Sequence, residues 1–524
     1  MNNKFRSLAL GISALTLLAA CGGSTGEKKA DAPTETKKVS APAKDRLVVA
    51  QGADAKTLDP HATNDQPSSR VSAQIYDRLV EQDEKMQPQP GLAEKWEQPD
   101  PRTTVFHLRK GVKFHNGEEL KASDVKFTLD RMMASPTVAH IAGSLEKVEV
   151  VDDYTVKLIT KQPFGPLLNH LAHTAASILN EKAVKEGGDA YGQKPVGTGP
   201  YMINTWQAGD SITLKANPDY YKGASPIPTV VFRNIPEGTN RTIGLETQEI
   251  DIAYDIEPMD KKRVADDQDL TLIEEPSLSM AYLGFNTNKK PFDDKRVRQA
   301  IAYGIDVQPI IDTVYQGAGT PANSPIGPLV FGYSKDAKGY PHDMAKAKEL
   351  MKESGHENGF DFKIWTNDSP ARRDIATIVQ DQLKPLGVNV AIETLEWGAY
   401  LDGTARGDHD MFILGWVSVT GDADHGLYAL FHSSAKGGAG NRSFYSNPEV
   451  DALLDQARGS TDNNERVGLY DKAQKMIQED LPIITLAYTT QNVGVQKNVM
   501  NFKMNPAGHH KVYGVSFEGG ESGN

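Results

Sequence analysis

The residue types with most chemical potential stand together in Phe412 to Leu430 (FILGWVSVTGDADHGLYAL). An apolar run ends at Trp416, and the polar segment after it carries Thr420, Asp422, Asp424 and His425. Carboxylates and an imidazole at this spacing can hold a cationic ligand group, or form a fragment of a proton-relaying triad. They can equally cap a helix, because Asp readily bonds its own backbone in loops. No serine in this stretch is framed by a nucleophile motif, and neither H-E-x-x-H nor G-x-x-x-x-G-K-[ST] occurs in the chain. A binder rather than an enzyme is therefore expected, with an anchored peptidase as the competing class.

A second candidate is Trp365 to Arg373 (WTNDSPARR), where a strand signal passes into a helix. Arg372 or Arg373, on the first helical turn, can form a bidentate pair with a ligand carboxylate. The bland alternative is a solvated charge, since exposed Arg is common. Cations near a helix N-terminus are unfavourable, which argues for some other reason for their presence. Trp397, Trp416 and Tyr428 can line a pocket as apolar walls, although aromatic residues are often plain core. Asn441 and Arg442 follow the run Gly437-Gly438-Ala439-Gly440 and are placed to close over a ligand. His509-His510 is adjacent rather than spaced, and Asp408-His409-Asp410 is a short charged loop. Neither makes a convincing ligand set, so no metal and no cofactor is expected.

The elements that must position these residues alternate between strand and helix. Strand signals fall at 46–50, 105–108, 148–159, 362–365, 388–393 and 411–416, with a weaker one at 212–214. Amphipathic helices are predicted over 123–133, with Ser123 as N-cap, and over 294–303, 371–386 and 448–458. Strand–helix–strand alternation around the third of these predicts an α/β lobe.

Composition and the N-terminus bound the class. The chain has 39% hydrophobic and 24% charged residues and a mean hydropathy of −0.48, as a globular protein does. A net charge of −12 argues against a nucleic-acid partner. Residues 1–20 read as a signal peptide: Lys4 and Arg6, then the apolar run Leu8 to Ala20. Leu18-Ala19-Ala20-Cys21 resembles a bacterial lipobox, so lipidation of Cys21 and a membrane anchor are expected. Cys21 is the single cysteine, which excludes an internal disulfide. Residues 21–45 read as the lipidated Cys and a flexible tether, rich in Gly, Ser, Thr, Pro and charge.

Several strings carry a resemblance. Gly91 to Arg131, with its FHNG turn, is one; Tyr76 to Val80 (YDRLV), Pro195 to Tyr201 (PVGTGPY) and Asn217 to Tyr221 (NPDYY) are others. Leu283 to Thr287 with Pro291 to Asp294, Leu395 to Tyr400, and Tyr445 to Asp451 complete the set, in order, from about residue 47 to beyond 490. Together they resemble the peptide-binding family (family 5) of solute-binding proteins that serve bacterial ABC importers. The resemblance implies an α/β, two-lobed periplasmic-binding-protein clamp of the type II, cluster C kind, with hinge strands and an extra subdomain in the first lobe. Lobe I would span 46–283 with the return segment 491–524, and lobe II 284–490, with crossings at 283–287 and 482–488. It also implies a monomer outside the cytoplasm, peptide capture, and delivery to a permease with its ATPase. In such peptide binders an Asp a few residues after the Trp corresponding to Trp416 holds the ligand amine; here Val419 stands there, leaving Asp422 as the candidate. The Gly-Asp-Ala-Asp string is similar to the glutathione-binding branch, so glutathione is the alternative ligand, with a nickel complex more remote.

Overall fold

The computed structural model describes residues 44–437 and 440–519. The signal peptide, Cys21 and all but the last two residues of the 21–45 tether lie outside the described residues. Of those two, Lys44 already ion-pairs with the buried Asp251, and the first strand, Arg46–Gln51, follows at once. No helix among the described residues is long and apolar enough to cross a membrane.

One mixed sheet organises the chain. Its order is Asn389–Leu395, Asp361–Asn367, Met411–Val417, Leu270–Phe285, Ile483–Gln496, Ile252–Ala253, Arg46–Gln51, Thr229–Asn234, Ser211–Ala216 and Tyr201–Gln207. The two long central strands serve both halves. Residues 270–276 pair with 490–496, where Ile252–Ala253 and Arg46–Gln51 continue the sheet one way. Residues 280–284 pair with 483–488, where Met411–Val417 continues it the other way. Each half has its own apolar core. One gathers Leu47, Tyr201, Val230 and Phe232 with Val495 and Val512 of the return segment; the other gathers Phe285, Ile301, Val379, Met411 and Ile484. A four-stranded sheet, Ala93–Asp100, Thr103–Leu108, Thr155–Thr160 and Leu145–Asp152, packs with the helix Ala122–Ala134 around a third core of Phe106, Val125, Leu129 and Leu158. This is the α/β two-lobed architecture with a subdomain in the first lobe.

Two local expectations are corrected. The single strand expected over 148–159 is two strands with a turn at Asp153-Tyr154, because Asp152 Oδ1 accepts from Tyr154 N at 2.8 Å and turns the chain. The helix expected from Ser123 begins at Ala122, and Asp124 Oδ2 accepts from Lys121 N at 3.1 Å. The register of the long strands shifts between Pro276 and Met280, opposite Thr489, and again between Ala281 and Tyr282. Proline has no N–H for the ladder, and Ser277 Oγ instead donates to Thr489 O at 2.7 Å.

The recurring strings turn out to hold the first half together. Asp77 of the YDRLV string is fully buried; Thr198 Oγ1 of PVGTGPY and Tyr220 Oη of NPDYY both donate to it at 3.2 Å. Gly199 N donates to Ile75 O at 2.9 Å, and the FHNG turn is stapled on through His115 N to Gly197 O, also 2.9 Å. A Cβ on Gly197 would lie 2.1 Å from Ile75 O and 2.7 Å from Tyr76 Cδ1, so the backbones approach too closely for any side chain. We therefore expect Gly197→Ala to lower the unfolding free energy by about 1–3 kcal/mol in urea titration, as overpacking does; an unchanged midpoint would refute this packing role.

Candidate functional site

A cavity of about 390 Å³ lies over the register break, walled by both halves. Its floor is the strand pair itself, at Ser277, Ser279 and Thr489 to Gln491. The first half contributes Asp65, at the start of the helix Gln66–Ile75, and Arg70 within that helix; Arg241, Asp255 and Glu257 come from later in the chain. The second half contributes Asn367 and Arg372, Trp397, Leu401, the strand residues 414–417, His425 and Arg442.

Most charges on the first-half wall are spoken for. Arg70 forms a bidentate pair with Asp255 at 2.8 and 3.0 Å. The Asp255 side chain is 54% exposed, and Arg70 holds its carboxyl below the usual range. Arg241 spends all three nitrogens on the carbonyls of Tyr254, Ile235, Pro236 and Asp255, at 2.6–3.0 Å. Asp65 caps its helix by accepting from Ser68 N at 3.3 Å and takes Thr63 Oγ1 at 2.6 Å. Glu257 is the exception: its Oε1 is 3.9 Å from Arg241, and burial pushes its carboxyl above the ordinary value.

The second-half wall is cationic and polar. Pro370 starts the helix Pro370–Leu383 at the end of the strand Asp361–Asn367, which sets Arg372 at the cavity rim. Arg372 Nη1 donates to Asn367 Oδ1 at 2.9 Å and its guanidinium lies 5.4 Å from the Trp397 ring centroid. No carboxylate among the described residues pairs with it. Trp397 Nε1 reaches across to Asp65 Oδ2 at 3.3 Å. Beside these runs an open strand edge. Met411–Val417 is paired along one side, but Asp361–Asn367 covers the other only at Met411 and Phe412. Tyr400 Oη takes the Ile413 carbonyl at 2.6 Å. By the two-residue period of a strand, the Gly415 N–H and C=O face that same open edge.

The structure brings Arg372, Trp397 and Trp416 to the cavity wall, and with them Arg442. It does not bring Asp422, Asp424, Thr420, Tyr428 or Arg373 there, which corrects the reading of the acidic loop. Asp422 is buried, caps the helix Ala423–Phe431 through Asp424 N at 2.9 Å, and pairs with Arg466 at 2.7 and 2.9 Å. Asp424 forms a bidentate pair with Arg458, 2.9 and 2.8 Å, and meets His170 of the first half at 2.8 Å. Burial acts against its charge, but Arg458 and His170 hold its carboxyl well below the usual range. The Thr420 carbonyl accepts from Gln82 and Asn169, both at 2.9 Å. Tyr428 stacks on His432 at 4.0 Å under the Arg458 guanidinium. Arg373 lies at the surface, 3.6 Å from Glu237. Asn441 is buried in its own turn, donating to His432 O and Tyr445 O. The acidic loop is thus a contact between halves, and the arginines that satisfy it come from 34 to 44 residues further along.

Asp65, Arg70, Arg241, Asp255 and Glu257 were not found by sequence reasoning. Only Asp65 carried a signal, since Asp before Gln-Pro marks a helix start. Among the described residues no group of three or more His, Cys, Asp or Glu side chains is arranged to hold a metal.

The family model "Bacterial extracellular solute-binding proteins, family 5 Middle" matches residues 87–438. The chain is 35% identical over 479 residues to the dipeptide-binding protein of Escherichia coli strain K12, covering 85% of this chain and 90% of that one. It is 34% identical over 475 residues to the glutathione-binding protein GsiB of Salmonella typhimurium, covering 88% and 92%. Its fold superposes, at a TM-score of 0.86 and 32% identity, on the ABC transporter-associated periplasmic binding protein DppA from Helicobacter pylori in complex with the peptide STSA, covering 90% and 98%.

Replacing the interlobe carboxylate tests its structural role. Asp424→Asn leaves Arg458 buried without a counter-charge, and we expect it to cost about 3–5 kcal/mol in urea unfolding. Stability equal to that of the parent would contradict this assignment.

Proposed function

The chain belongs to the bacterial extracellular solute-binding proteins of family 5, and from that premise we propose that it captures a peptide between its two halves and releases it, unaltered, to the permease of an ABC importer. The observation that carries this reading is an arginine without a carboxylate partner among the described residues, Arg372, beside an open strand edge in the cavity wall. An extended peptide needs both: hydrogen-bond partners for its backbone and a cation for its C-terminus. The Gly415 N–H and C=O pair with the peptide backbone, and Arg372 takes the terminal carboxylate, held in orientation by Asn367 and the Trp397 ring. Trp397 and Trp416 wall the side chains.

The amine end is assigned differently from the family pattern, because Val419 stands where an acid would. We assign it to Glu257, the wall acid with the fewest partners, whose burial an arriving ammonium group would offset. Val419 also favours the second reading, a γ-linked tripeptide such as glutathione, which presents its amine elsewhere.

Closure is assigned to the register break at Pro276–Met280 and Thr489, about which 46–276 with the return segment and 280–488 would turn as lobes. The interlobe bonds of Thr420, Asp424 and Trp397 then belong to the closed form. Cys21, lipidated, would hold the monomer near its permease and ATPase on the outer face of the membrane. Micromolar capture, about −8 kcal/mol, is compatible with release to such a partner.

Isothermal titration with a tetrapeptide tests the carboxylate assignment. Arg372→Ala should raise the Kd about 10-fold or more, as loss of a charge-assisted pair does. Amidating the peptide C-terminus should cost the parent protein the same and the variant nothing further. Equal parent affinity for free and amidated peptide would sink the assignment.

A further inference from the structure

Among the described residues seven arginines are buried, and six of them have either a carboxylate partner or a backbone acceptor on every nitrogen. Arg70, Arg78, Arg458 and Arg466 pair with Asp255, Glu81, Asp424 and Asp422, while Arg241 and Arg298 spend every nitrogen on backbone carbonyls. Arg442 is the exception. It is 5% exposed, yet its only acceptors are Leu401 O and Thr404 Oγ1, both on Nη1 at 2.5 and 2.6 Å. Its Nε is buried with no acceptor, and no carboxylate among the described residues pairs with it. A buried cation without a counter-charge is costly, which leaves the free state of this wall short of an anion.

Arg442 is also part of the ligand cavity, whose lining includes Leu401 and Leu414. Burial raises the Tyr282 and Tyr400 phenols, and both are pulled back by Arg442 and by Arg372. Two guanidiniums without acid partners therefore act on one patch of the second half. A peptide has a single terminal carboxylate, and on the reading above Arg372 takes it. The remaining cation calls for a second anionic group on the same ligand.

We propose that Arg442 is a specificity-determining residue that receives the side-chain carboxylate of an Asp or Glu at the last or penultimate position of the bound peptide, so that the protein selects acidic peptides. The inference rests on the peptide reading above. Leu401 and Leu414 flank the carboxylate with apolar surface, which lowers the local dielectric and strengthens its pairing with the guanidinium. A neutral glutamine side chain in the same place leaves the buried charge uncompensated.

The test is a pair of matched titrations: Ala-Ala-Glu-Ala against Ala-Ala-Gln-Ala, and Ala-Ala-Ala-Glu against Ala-Ala-Ala-Gln. In the parent protein the Glu peptide of at least one pair should bind about 10- to 100-fold tighter, as expected for a hydrogen-bonded charge pair. In Arg442→Gln that ratio should fall to about 1, and in Arg442→Lys it should be reduced. A merely structural arginine would, when replaced, weaken both members of a pair alike and leave the ratio unchanged, which overturns the proposal. Equal parent affinity within both pairs overturns it without any variant, so a variant that fails to fold does not shield it. Failure of the parent to bind any of the four peptides would instead sink the peptide reading itself.

Discussion

Where the strands Leu270–Phe285 and Ile483–Gln496 lose register, the sheet stops being a ladder and becomes a floor. Pro276 supplies no N–H, Ser277 turns its hydroxyl to Thr489 O, and pairing resumes only at Met280 opposite Tyr488. On either side of the break a separate core is packed to near-complete burial, so each half is stiff while the joint is two strands wide. The cavity lies over this joint. Everything on the walls is delivered from there: one half brings the helix start at Asp65, the other an unpaired edge of Met411–Val417.

The charges divide along the same line. Around the acidic loop every carboxylate has an arginine and every arginine a carboxylate, and the Asp424–His170 and Thr420–Asn169 contacts fasten one half to the other. Those groups are satisfied by the protein and have no capacity left for a ligand. On the ligand wall three charges differ: among the described residues Arg372 and Arg442 lack acid partners, and Glu257 has only a distant one. Polar groups left unsatisfied in a wall are what a bound molecule completes, and this contrast, rather than the mere presence of charge, separates the binding surface from the closure surface.

How much of this was legible in the sequence differs by kind. Strands such as Met411–Val417 and helices such as Pro448–Gly459, with Asn447 capping and Pro448 at its start, follow from local pattern and turn chemistry. Arg372 could be placed for the same reason, since its position depends on a helix start. The role of Asp422 could not: its fate was decided by Arg466, 44 residues away, and no local rule reports a partner at that distance. The crossings at 283–287 and 482–488 are what the resemblance implies, and each string is a short apolar run. The register break follows Pro276, which has no N–H for the ladder. Arg442 followed from a glycine run and proved to be in the wall, whereas Asn441 beside it is spent on its own turn.

The central claim is that this cavity holds an intact peptide by its free carboxylate. Native mass spectrometry of the protein purified without denaturation, with the released ligand then sequenced, tests it most directly. The account predicts one peptide per chain, with an unmodified C-terminus and the same mass before and after prolonged incubation. A ligand of another chemical class, or a peptide recovered cleaved or altered, would contradict it.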